Sequence, residues 1–90
     1  MLYALIARDK PDALQTRLDN RAAHLAYIEE TGVVAQAGPL LDDQQQMVGS
    51  LLILDVADMA AARAWADGDP YAKAGLFAGV ELIAWKKVVG

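Results

Sequence analysis

Apolar residues run along this chain at two spacings, and each spacing predicts a different kind of element. The opening run Leu2 to Ala7 has the length of a strand. Asp9-Lys10-Pro11-Asp12 interrupts it with helix-start chemistry, Pro11 being suited to a first helical position. From there Leu14, Leu18, Ala22, Leu25 and Ile28 recur at steps of three and four, the period of an amphipathic helix, and Gly32 offers the left-handed position that closes it. Val33 to Ala37 and Met47 to Val56 read as two strands, joined through Gly38-Pro39 and the polar run Asp42-Asp43-Gln44-Gln45-Gln46, with antiparallel pairing expected. Asp58 can cap an alanine-rich helix over 59–66 whose end Gly68 marks. Asp69-Pro70 supplies the cap and first residue of a further short turn, Tyr71 to Gly75, and Val80 to Val89 carries strand formers.

The resulting order, β-α-β-β-α-β with one extra short helix, predicts an α+β, ferredoxin-like fold in which two helices cover one face of a four-stranded antiparallel sheet. In the third strand Leu51 and Ile53 point one way and Leu52 and Leu54 the other, so both faces of the sheet are apolar. Helices can bury only one of them. A symmetric homodimer packed sheet against sheet is the economical cover for the second.

Composition sharpens that expectation. The 90 residues make one domain, 1–90, and a domain of this size buries only about 60% of the surface of its unfolded chain. A hydrophobic content of 56% and a mean hydropathy of +0.21 therefore exceed what one small core hides, which again favours a partner surface. The net charge of -4 and isoelectric point of about 4.6 argue against nucleic acid, whose backbone calls for a basic face. Without cysteine there is no disulfide, thiolate nucleophile or cysteine metal site, and with one histidine no metal is expected. The apolar N-terminal run is too short to span a bilayer and no basic segment precedes it, so a cytoplasmic protein with no membrane partner is expected.

Candidate chemistry is sparse. Arg17, Arg21 and the lone His24 fall within a sector of about 60° on the first helix. This polar stripe borders the apolar one, so it can lie at the rim of a pocket between helix and sheet, where the guanidiniums would hold an anionic small molecule beside an imidazole base. Solvated surface side chains explain the same pattern. Asp69 has a complete explanation as a helix cap; alternatively it accepts a hydrogen bond from one ring nitrogen of His24 and sets the tautomer of the other. Gly49-Ser50 and Gly38-Pro39 can present backbone groups or a hydroxyl to a ligand, or simply meet the needs of a turn or bulge. Trp65, Tyr71, Phe77 and Trp85 can line a pocket for a ring, or fill core and interface.

Several of these segments occur together in a known pattern. Arg21-Ala22-Ala23-His24-Leu25, Ala37-Gly38-Pro39, Gly49-Ser50, Asp67-Gly68-Asp69-Pro70-Tyr71 and Ala74-Gly75-Leu76-Phe77 resemble the YCII-related domain family, in order and spacing from end to end. The resemblance implies a dimeric α+β barrel of ferredoxin-like subunits. It also implies an active site containing a His and an Asp, which fall on His24 and Asp69. Related barrels include ring isomerases, elimination enzymes and monooxygenases, often cofactor-free. The expected function is thus a cofactor-independent lyase or isomerase, or related proton-transfer chemistry, on a small organic substrate, aromatic or anionic. In that reading His24 moves the proton, Asp69 orients it, and Arg17, Arg21, Ser50 and Tyr71 bind the substrate. The alternative is a non-catalytic small-ligand binding or accessory dimer module.

Overall fold

A computed structural model describes residues 1–90. The elements are β1 (Leu2–Asp9), α1 (Leu14–Thr31), β2 (Val34–Leu41), β3 (Met47–Asp55), α2 (Met59–Gly68), α3 (Pro70–Lys73) and β4 (Phe77–Trp85). They form one sheet in the order β2-β3-β1-β4, antiparallel throughout, which is the ferredoxin-like arrangement expected.

The local signals work largely as read. Asp58 Oδ1 accepts from the Ala61 amide at 2.8 Å and starts α2. Gly32, at φ 65°, returns its amide to the Ile28 carbonyl and ends α1. Asp69 caps α3 with Pro70 at its first position.

Boundaries move in four places. β1 continues to Asp9 instead of stopping at Ala7, because Lys10 still pairs its amide with the Leu76 carbonyl beyond the strand. Pro11 lies in a turn, with Asp12 at φ 57°, and α1 begins at Leu14 without a side-chain cap. Gly38-Pro39 is not a connection but the middle of β2, where proline is tolerated because β2 is an edge strand. β4 starts at Phe77 rather than Val80 and ends at Trp85, leaving 86–90 outside the sheet.

The core lies between one sheet face and α2. Tyr3, Leu5 and Ala7 of β1 and Leu52 and Leu54 of β3 pack against Ala62, Trp65 and Ala66. Strand register explains why these residues meet: Leu5 faces Leu52 and Tyr3 faces Leu54 across the ladder, so one pleat side supplies all of them. Gly49 has the opposite parity, on the side of Leu51 and Ile53, and lies so close to β1 that a Cβ there would collide with the Ala7 carbonyl oxygen. The opposite face carries Ala4, Ile6, Leu51, Ile53, Ile83 and Trp85, with Leu51, Ile83 and Trp85 exposed. No helix is long and apolar enough to cross a membrane.

α1 departs from its periodicity. Leu14, Leu18 and Leu25, which the spacing assigned to the core face, are exposed, whereas Arg17 and His24 are buried. Only its C-terminal turns join the apolar packing, through Tyr27 and Ile28; the Tyr27 hydroxyl donates to the Trp65 carbonyl at 2.9 Å, and Trp65 Nε1 donates to Thr31 Oγ1 at 2.8 Å.

Candidate functional site

Because α1 turns a polar stripe toward the sheet, it cannot close down on it as α2 does. A cavity of about 180 Å³ remains between α1, the β2–β3 pair and α3. Arg17, Arg21, His24, Ser50 and Tyr71 all contribute to its wall, together with an apolar floor that includes Ile28, Met47 and Leu52. Five of the six residues that the sequence reading gave a catalytic or substrate-binding role thus line one space. The sixth, Asp69, lies behind His24.

His24 Nδ1 is 2.7 Å from Asp69 Oδ1, with the two side chains 8% and 1% exposed. A carboxylate can only accept, so Nδ1 carries a proton toward it, and in the neutral ring Nε2 then has a free lone pair. The same Oδ1 accepts the Tyr71 amide at 3.0 Å, so capping and histidine contact are not alternatives but two uses of one oxygen. Oδ2 is buried without a hydrogen-bond partner, a desolvation cost of roughly 1–3 kcal/mol. A cap alone does not require that cost: Asp58 performs the same service at the surface.

Tyr71 fixes the imidazole from a second direction. Its ring stacks on His24 at 3.9 Å between centroids and 14° between planes, and Phe77 meets it edge-on at 6.1 Å. The Arg17 guanidinium carbon lies 4.7 Å from the Tyr71 ring centre. Burial pushes the Tyr71 phenol above its ordinary range, more than the nearby Arg17 and Arg21 charges draw it down. Tyr27 is raised likewise, by burial and by the Asp69 charge.

Arg17 belongs to a second buried cluster. Its Nε donates to Asp9 Oδ2 at 2.7 Å and its Nη2 to Asp9 Oδ1 at 2.9 Å, a bidentate pair with side chains 3% and 5% exposed. Nη2 also donates to Ser50 Oγ at 2.9 Å. Burial works against the Arg17 charge, but the Asp9 hydrogen bonds and charge outweigh it, and the guanidinium holds its proton more firmly than usual. Asp9 escaped the sequence reading, which took it for a strand breaker. The parity of β1 could have found it: Tyr3, Leu5, Ala7 and Asp9 alternate onto the helix-facing side. Arg21 is exposed at the cavity and forms no ion pair within the chain. No three of the His, Asp and Glu side chains converge as metal ligands do. Gly38-Pro39 lines the β2 side of the cavity, whereas Trp65 belongs to the core and Trp85 to the open sheet face.

Residues 1–86 match the model of the YCII-related domain. The chain belongs to this family. Protein YciI of Escherichia coli O6:H1 is 39% identical over 98% of this chain and 99% of its own length. Among solved structures, 5-chloro-2-hydroxyhydroquinone dehydrochlorinase (TftG) from Burkholderia phenoliruptrix AC1100, in complex with 2,5-dihydroxybenzoquinone, superposes with a TM-score of 0.86 at 38% identity, covering 96% of this chain and 94% of that one. A dimeric ferredoxin-like protein of unknown function from Jannaschia sp. CCS1 shares the fold alone, with a TM-score of 0.52 at 21% identity over 96% and 98% of the two chains.

Proposed function

We propose that this YCII-family chain is a small-molecule enzyme that moves a proton on a single-ring, oxygen-bearing substrate, as a lyase or isomerase needing no cofactor. The observation that carries this reading is the buried His24–Asp69 pair, 2.7 Å apart, at the wall of a half-open cavity. His24 acts through Nε2 as general base and then acid. Asp69 holds the tautomer and stabilises the imidazolium formed during transfer, and Tyr71 fixes the ring plane. Arg21, the uncommitted guanidinium, attracts the substrate's negative charge, while Arg17 is already matched by Asp9.

Size limits the substrate. A cavity of about 150 Å³ is known to accept benzene, so about 180 Å³ suits one ring with a few small substituents. The dehydrochlorinase with its bound dihydroxybenzoquinone supports the same class. The test is chloride release from 5-chloro-2-hydroxyhydroquinone and binding of 2,5-dihydroxybenzoquinone. His24→Gln should lower kcat by about 10²–10⁴-fold while the quinone still binds. Wild-type binding with no turnover of any ring substrate would make the chain a binding module instead.

The assembly proposed is a homodimer through the open sheet face, where Leu51, Ile83 and Trp85 stand exposed beside Ala4 and Ile6. Light scattering should give twice the chain mass at micromolar concentration, and Ile83→Asp should halve it. A wild-type monomer under those conditions contradicts the assembly.

A further inference from the structure

Ser50 is buried at 3% exposure on β3 and lines the cavity. It accepts from Arg17 Nη2 at 2.9 Å, and it donates to nothing in the chain. A hydroxyl has one hydrogen and two lone pairs. With a guanidinium on one lone pair, the hydrogen must turn away from Arg17, and leaving it unpartnered in a buried site is costly. Arg17 cannot swing aside to release it, because Asp9 grips Nε and Nη2 at 2.7 and 2.9 Å and the Tyr71 ring lies against the guanidinium. Asp9 and Arg17 therefore act as positioning residues. Their chain of charge-assisted bonds polarises one hydroxyl and fixes where its hydrogen points.

We infer that the Ser50 hydroxyl is an oxyanion donor, binding the ring oxygen on which negative charge gathers when His24 removes a proton. The inference rests on His24 being the base and names the substrate more closely: a ring carbonyl conjugated to an acidic O–H or C–H, as in hydroxyquinones and cyclic enols. The proton passes from that O–H or C–H to His24 Nε2. The electron pair it leaves moves through the conjugated ring onto the carbonyl oxygen, and Ser50 hydrogen-bonds to that oxygen without forming a covalent bond. Return of the proton from the imidazolium to another ring atom completes an isomerisation; departure of a leaving group with its bonding pair, followed by loss of the imidazolium proton to water, completes an elimination. Donors aimed at the developing charge are the usual source of large rate effects in such steps.

The probe is 2,5-dihydroxybenzoquinone, whose visible band responds to hydrogen-bond donation at its oxygens. Ser50→Ala should bind it roughly 10–100-fold more weakly, and the bound band should shift in the sense of one hydrogen-bond donor lost. Ser50→Cys, nearly the same size but a weak donor, should do the same, with circular dichroism confirming that each variant is folded. Asp9 and Arg17 hold the hydroxyl in place, so Asp9→Asn should shift the band in the same direction by less. Binding within about twofold of wild type and an unmoved band in both Ser50 variants would overturn the inference while leaving His24 as base. Wild-type failure to bind the probe would overturn both. Full turnover in His24→Gln would remove the base, and the Ser50 role in proton transfer with it.

Discussion

α1 and α2 lie on the same face of one sheet, yet they turn opposite kinds of side chain toward it. α2 presents Ala62, Trp65 and Ala66 to the leucines of β1 and β3 and closes a dry core. α1 presents Arg17 and His24, leaves Leu14, Leu18 and Leu25 exposed, and keeps a cavity beneath itself. The α2 half obeys the rule that burial follows hydrophobicity. The α1 half breaks it, and every buried polar group there is held by a partner from another element: Asp9 from β1, Ser50 from β3, Asp69 at the start of α3. A fold tends to violate local consistency where function demands it, with the cost carried by packing elsewhere. In this molecule the dry core and the buried polar cluster fall to two helices.

The largest effect should come from the core half. Trp65→Ala removes a side chain packed between Tyr27 and the sheet and should cost about 4 kcal/mol in urea unfolding. A cost below 1 kcal/mol would mean that α2 does not carry the stability. The site half should respond differently. Asp9→Ala leaves the Arg17 charge buried and unpaired and should cost about 3 kcal/mol, but the double variant Asp9→Leu with Arg17→Met should recover most of that while losing quinone binding. If the double variant is no more stable than the single one, the pair is structural and the contrast between the two halves fails.

Alkaline pH offers a smaller effect. The phenols of Tyr27 and Tyr71 are raised by burial above the ordinary 10.0. Between that value and their folded values the native chain holds protons that the unfolded chain releases, so stability falls with rising pH in this window. The urea midpoint should therefore be steady up to about pH 10 and drop above it. Tyr71→Phe should flatten the drop, and an unchanged slope would place the Tyr71 phenol in ordinary solvent.

The same contrast decides what could be read in the sequence. Topology was legible because its signals are local: a cap at Asp58, a left-handed glycine at 32, the Asp69-Pro70 start, alternation along β3. The sheet's two apolar faces follow from that alternation alone. The orientation of α1 was not legible, because periodicity chooses the leucine stripe and the partners that turn the helix lie 8, 33 and 45 residues away. The residues that line the cavity could still be singled out, since an isolated histidine flanked by arginines is conspicuous, while Asp69, fully explained as a cap, was favoured as its partner by the family resemblance. The missing member, Asp9, was hidden by a proline two residues later that looked like the end of the strand.

The most direct test of the account is the tautomer of His24, read from its ring nitrogens by ¹⁵N NMR in the neutral state; a single histidine makes the signal unambiguous. Wild type should show one tautomer, protonated on Nδ1 with Nε2 bare, and Asp69→Ser, which keeps the cap but cannot reach the ring, should lose that preference. A wild-type histidine protonated on Nε2, or the same tautomer in both proteins, would contradict a base oriented by Asp69.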